Sequence, residues 1–159
     1  AMDYFHLCAG QDTMEQISVL GLAHLGDGVY ELMVRAWLCL HGKATNKGLH
    51  RAAVTYVSAP AQAQRAQKIL PVLTQEEQDV FRRGRNANVH SIPAHASRAA
   101  SEEPYARPTP KPRKSRAVPK GASVAQYHTA TALEALFGWL YLRGETDRLN
   151  ELFTRMMEE

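Results

Sequence analysis

Apolar and polar positions alternate along this chain with helical rather than strand periodicity. Thr13-Met-Glu-Gln16 has the spacing of a capping box, and an apolar run follows it as far as Leu40, ending at His41-Gly42, a usual helix stop. Gly21, or the trio Gly26-Asp27-Gly28, is expected to divide that run into two helices. A further helix is predicted from about Asn46, where Leu49, Ala52, Ala53, Tyr56 and Val57 share a face; it should restart at Ser58-Ala-Pro60 and continue to Leu70. Thr74-Gln-Glu-Glu77 is a second capping box, opening a short helix expected to stop at Gly84. Helix resumes at about Tyr127, runs to Gly144, and gives way to a last amphipathic helix capped by Thr146. No alternating β pattern occurs, so the predicted class is all-α.

Six of the eight prolines fall between Asn86 and Ala125, so that stretch reads as a long Pro-rich loop inside a single domain spanning residues 2–159. Within it, SIPAHAS (Ser91 to Ser97) and AVPKGAS (Ala117 to Ser123) resemble each other, as a partly duplicated loop would. The loop also changes how the net charge of +3 is understood. From Arg82 to Lys120 the chain holds ten Lys or Arg against Glu102 and Glu103, a net of +8, whereas the remainder, with nine basic and fourteen acidic residues, is −5. A mildly acidic body with one strongly basic segment points to a polyanionic partner; a solvated linker is the plainer reading. Cys8 and Cys39 have neither disulfide-framework nor zinc spacing. No membrane span or signal peptide is evident, so the expected location is the cytoplasm.

Two acids stand out against apolar helices. His24, Asp27, Glu31 and Arg35 are spaced i, i+3, i+7, i+11 and form one polar stripe. An ion pair with Arg35 accounts for Glu31. Asp27 has no such neighbour, and capping a helix after the glycine turn is its plain alternative. Glu134 is the only charge between His128 and Arg143, where a solvent-exposed helix position is the ordinary explanation. Together the two acids suit a hard cation: Mg²⁺ takes one or two carboxylates and completes its octahedron with waters and phosphate oxygens. Beside a basic loop, that suggests phosphodiester chemistry, with Arg82, Arg83, Arg85, Asn86 and Asn88 on nucleic-acid backbone and groove and Lys111, Arg113, Lys114 and Arg116 adding electrostatic reach. The apolar surface of Val29, Leu32, Met33, Trp37 and Leu40 exceeds what one small subunit covers, which predicts a homodimer.

LGLAHLGDGVYELMVR, FRRGRNAN and YHTATALEALFGWLYL, in that order and spacing, resemble the mini-ribonuclease III family, small bacterial relatives of ribonuclease III that possess only the catalytic domain. The likeness spans nearly the whole chain except the Ser97 to Ser115 insert. It implies the all-α ribonuclease III endonuclease-domain fold, a homodimer that forms a valley for double-stranded RNA, and Mg²⁺-dependent cleavage, Mn²⁺ being able to substitute. It further implies products with 5′-phosphate and 3′-hydroxyl ends and a role in trimming the large-subunit ribosomal RNA precursor. Asp27 falls on the Asp of the family's signature motif and Glu134 on the Glu of its second acidic motif. Relative to full-length ribonuclease III, Leu20, Ala23 and Thr131 stand where further acids are usual, and Gly28 stands where Ala is usual. With no appended double-stranded-RNA-binding domain expected, the basic loop is the natural source of RNA grip. Two other readings stay open: a dimer that grips structured RNA without cutting it, and an all-α interaction module with a basic linker.

Overall fold

The apolar run from Val19 to Leu40 folds as one unbroken 22-residue helix, α2, in the computed structural model, which describes residues 1–41, 46–87 and 122–158. It is preceded by α1 (Gln11–Gln16) and followed by α3 (Asn46–Val57), α4 (Ala59–Ala66), a 3-10 turn (Leu70–Val72), α5 (Gln75–Asn86), α6 (Val124–Leu142) and α7 (Thr146–Met157). The described residues contain no strand, as the all-α expectation requires.

Several boundaries differ from the sequence prediction, each for a local reason. Thr13 lies inside α1 and caps nothing. The cap of α2 is Ser18, whose hydroxyl accepts the Gly21 N–H at 3.0 Å after Ile17 has turned extended. Gly21 and the Gly26-Asp27-Gly28 trio do not interrupt α2, so Asp27 is a mid-helix residue rather than a cap. The predicted continuation to Leu70 instead stops at Ala66 and tightens into the 3-10 turn at Leu70–Val72. The Thr74 capping box forms, with both reciprocal bonds present, but α5 passes through Gly84 to Asn86. α6 begins at Val124, three residues earlier than expected, because Ser123 and Gln126 make a second reciprocal capping box. It ends at Leu142, and Gly144, just past the Arg143 cap, takes the left-handed φ of +71°. Thr146 is the first residue of α7, after Glu145 in the cap position, rather than the cap itself.

α6 is the axis of the molecule. Its residues from Ala130 to Gly138, together with Leu140, are buried on every side, as expected of a helix apolar all round. α2, α4 and α5 pack around it, and α7 closes one end. In the core, the Tyr30 ring meets Phe137 and Phe153 edge-on, at 5.6 and 6.2 Å between centroids. The Tyr30 hydroxyl donates to the Tyr56 carbonyl at 2.9 Å, and burial pushes its pKa up to about 12. α5 and α7 are fastened by an ion pair with no local sequence signal. Arg148 Nη2 and Nε donate to the two Glu77 carboxylate oxygens at 2.7 and 2.9 Å, and Nη2 also reaches the Val72 carbonyl. Burial alone would raise the Glu77 pKa; the Arg148 bonds and the Thr74 N–H outweigh it and hold the carboxyl below the ordinary range.

Candidate active site

Three glycines set the geometry around Glu134. α2 and α6 cross so closely that a Cβ on Gly26 would fall 1.6 Å from the Glu134 carbonyl oxygen, and one on Gly138 would fall 2.0 Å from the Leu22 carbonyl oxygen. α5 meets the same stretch of α6 at Gly84, where a Cβ would lie 2.8 Å from the Ala132 Cα. Backbone therefore touches backbone on both sides of one turn of α6, at a distance no side chain permits. Asp27 leaves α2 one residue past the Gly26 contact. Glu134 leaves α6 at that contact. The two acids, 107 positions apart in the sequence, thus flank a single helix crossing.

Their surroundings differ. Glu134 is only 8% exposed and Thr131, one turn before it, is buried as well, its hydroxyl donating to the Tyr127 carbonyl at 3.1 Å. Asp27 is half-buried at the edge of the apolar face of α2, and on the outward side of the same stripe lie His24, Glu31 and Arg35. The expected Glu31–Arg35 ion pair is present at 2.5 Å. Among the described residues no group of three or more His, Cys, Asp or Glu side chains is gathered.

The basic residues of α5 fall on two sides of the helix. Arg82, Arg83, Arg85 and Asn86 are all exposed on the last turns of α5. At roughly 100° per residue, Arg82, Arg85 and Asn86 share one face, whereas Arg83 stands roughly 160° from Arg85 around the axis. Arg82 is paired with Asp79 at 3.0 Å. Arg83 lines a cleft of about 610 Å³ between α1, the start of α2, α5 and α6, together with Trp139 and Arg143. Asn88, Lys111, Arg113, Lys114 and Arg116 lie outside the described residues, as do the two similar heptapeptides apart from Ala122 and Ser123.

Past the acid stripe, α2 turns an apolar face outward. Leu32 is 54% exposed and Leu40 85%; Val29 and Met33 are half-buried and, with Leu25, Gly28, Tyr4 and Phe5, line a shallow groove of about 340 Å³. Trp37, by contrast, is largely covered by its own chain, stacked on His41 at 4.0 Å and tilted against Tyr56.

Residues 20–145 match the Ribonuclease III domain family. A Mini-ribonuclease 3 of Symbiobacterium thermophilum is 40% identical over 133 residues, 84% of this chain and 82% of that protein. The chain belongs to the mini-ribonuclease III family. A second member, from Thermoanaerobacter sp., is 36% identical over 146 residues, 90% of this chain and 84% of its own length. The crystal structure of a protein from Fusobacterium nucleatum has the same fold, with a TM-score of 0.64 over 89% of this chain and 94% of that one at 24% identity.

This mini-ribonuclease III is accordingly an endoribonuclease with RNA as its substrate, and the readings as a non-cleaving RNA-binding dimer or an interaction module give way. No helix among the described residues is long and apolar enough to cross a membrane. Sequence reasoning missed the glycines. Gly26 was expected to form a turn and Gly84 a stop, yet both sit mid-helix, where each costs roughly 1 kcal/mol of helix propensity relative to Ala. That cost, met three times around one acid, is the signal that could have shown where backbones touch.

Proposed function

We propose that this mini-ribonuclease III is a Mg²⁺-dependent enzyme that cleaves double-stranded RNA, with Asp27 and Glu134 as the ion's carboxylate ligands and Mn²⁺ able to take its place. The observation that supports the reading is the α2–α6 crossing, where the backbones of Gly26 and Glu134 are in contact and Asp27 is the next residue along α2. The donor set fits the ion. Mg²⁺ is normally held by one or two carboxylates and keeps several waters, which suits a pair of acids with no larger cluster of His, Cys, Asp or Glu gathered among the described residues. When bound, it supplies an activated water and charge stabilisation at the leaving oxygen, giving 5′-phosphate and 3′-hydroxyl ends. The protein's own part is to hold Glu134 rigidly within α6 and to keep Asp27 at the rim, where a phosphate can approach.

The active form in this reading is a homodimer joined through the outward face of α2, where Leu32 and its half-buried neighbours Val29 and Met33 adjoin Tyr4 and Phe5. That face borders the acid stripe, so pairing two copies would bring both sites to one valley. The substrate proposed is the precursor of large-subunit ribosomal RNA, trimmed at its ends. Mapping the ends left on that precursor, with Mg²⁺, Mn²⁺ or a chelator present, tests the reading. Paired cuts across a stem that require the metal are expected; cuts in single-stranded regions, or cutting in chelator, would refute it.

A further inference from the structure

Glu31 lies one helical turn beyond Asp27 on the same stripe of α2, the position a third acidic ligand would take. Its carboxylate is already engaged, accepting from Arg35 Nη2 at 2.5 Å. Both side chains are wet, Glu31 35% and Arg35 65% exposed, so neither needs a cation to replace lost hydration. The pair instead fixes a direction. A guanidinium carries five donors in a rigid fork, and one tethered corner leaves the others free to face outward. Arg35 stands roughly 12 Å along the helix axis from Asp27. It is the one cation among the four residues of the stripe at neutral histidine, so it is the stripe's own positive charge toward a phosphate backbone laid along His24, Asp27 and Glu31.

We propose that Arg35 contacts a backbone phosphate of the duplex next to the scissile position, and that Glu31 is the positioning residue that holds it there and is no ligand of the ion. The inference rests on the reading of Asp27 and Glu134 as the active site. Arg35→Gln removes the charge from an exposed position, and Glu31→Gln releases the tether while keeping its shape. In steady-state cleavage of a short RNA duplex, Arg35→Gln raises KM about tenfold with kcat little changed, and lowers the log-log salt slope of duplex binding by about one unit. Arg35→Lys keeps that slope but recovers only part of the KM, because a point charge lacks the fork. Glu31→Gln raises KM less than Arg35→Gln does, and the Mg²⁺ concentration for half-maximal rate stays that of the parent.

Two results would overturn the proposal: an Arg35→Gln enzyme with the parent's KM and salt slope, or a Glu31→Gln enzyme that needs several-fold more Mg²⁺. A parent protein that neither binds nor cuts duplex RNA would instead defeat the active-site reading, and this one with it. A parent that cuts normally beside an unaffected Arg35→Gln defeats the present inference alone.

Discussion

Gly26→Ala adds one methyl group at the point on which the active-site geometry depends. Its Cβ would lie 1.6 Å from the Glu134 carbonyl oxygen, 2.5 Å from the carbonyl carbon and 2.7 Å from the Gly138 nitrogen, all of them backbone atoms inside a helix. None of these can rotate aside. Restoring ordinary contact requires α2 and α6 to part by about 2 Å at the crossing. Forcing extra volume into a packed seam costs about 1–3 kcal/mol and sometimes more, and the better helix propensity of Ala offsets only about 1 kcal/mol. With every obstructing atom in the backbone the upper part of that range applies, so we expect a net loss of about 2 kcal/mol, a fall in melting temperature of about 4–8 °C. Cleavage should suffer beyond stability, because a 1 Å misplacement of reacting groups costs about 10²-fold in rate. Gly28→Ala is the matched control. It lies two residues further along the same helix, a Cβ there meets nothing within 4 Å, and it should stabilise by up to about 1 kcal/mol. Urea unfolding with single-turnover cleavage on both variants gives the comparison. A Gly26→Ala protein as stable and as fast as the parent would refute the argument.

Breaking the buried ion pair with Glu77→Gln leaves Arg148 only its more exposed partner Glu151 and the Val72 carbonyl, and should cost about 3 kcal/mol at neutral pH in urea unfolding. Because the folded Glu77 carboxyl titrates below its ordinary value of 4.5, the pair's contribution is complete above that pH and is lost as the pH falls below it, so the gap between parent and variant should close in acid. Leu32→Arg, at a position 54% exposed, should leave the subunit folded but shift it from dimer to monomer in sedimentation at micromolar concentration. Deleting Arg98 to Lys114 should flatten the salt dependence of RNA binding by roughly 3 to 4 units of log-log slope if about four cations there meet phosphates; an unchanged slope would make the segment a spacer.

What the sequence revealed and concealed follows from the range of the forces involved. The Thr74 capping box, the face of α3 and the Glu31–Arg35 pair are interactions within a few residues, and each was legible as a local pattern. Gly26 and Gly84 misled because local propensity treats glycine as a break, while here the opposing backbone of α6 occupies the space that the missing side chains leave. Glu77 and Arg148, 71 residues apart, meet only once α5 and α7 have docked, so nothing near either predicted the other. Ser123 and Gln126 form a local signal that the preceding prolines obscured. Asp27 and Glu134 stood out in the sequence for the opposite reason: a charge on an apolar helix needs an explanation wherever its partner lies. Of the arginines of α5, helical geometry keeps Arg82 and Arg85 on one face and turns Arg83 away from Arg85.

The central claim is that Glu134 acts through its charge, on an ion it shares with Asp27. The direct measurement is the single-turnover rate of Mg²⁺-dependent duplex RNA cleavage by Glu134→Gln, beside that of Asp27→Asn, with the affinity for uncut duplex measured in parallel. Both variants keep the shape of the side chain, so folding and RNA binding should stay close to those of the parent while cleavage falls by about 10³-fold or more, as the loss of a charged group acting in the transition state implies. Cleavage by Glu134→Gln at the parent's rate, with the same metal requirement, would contradict the account.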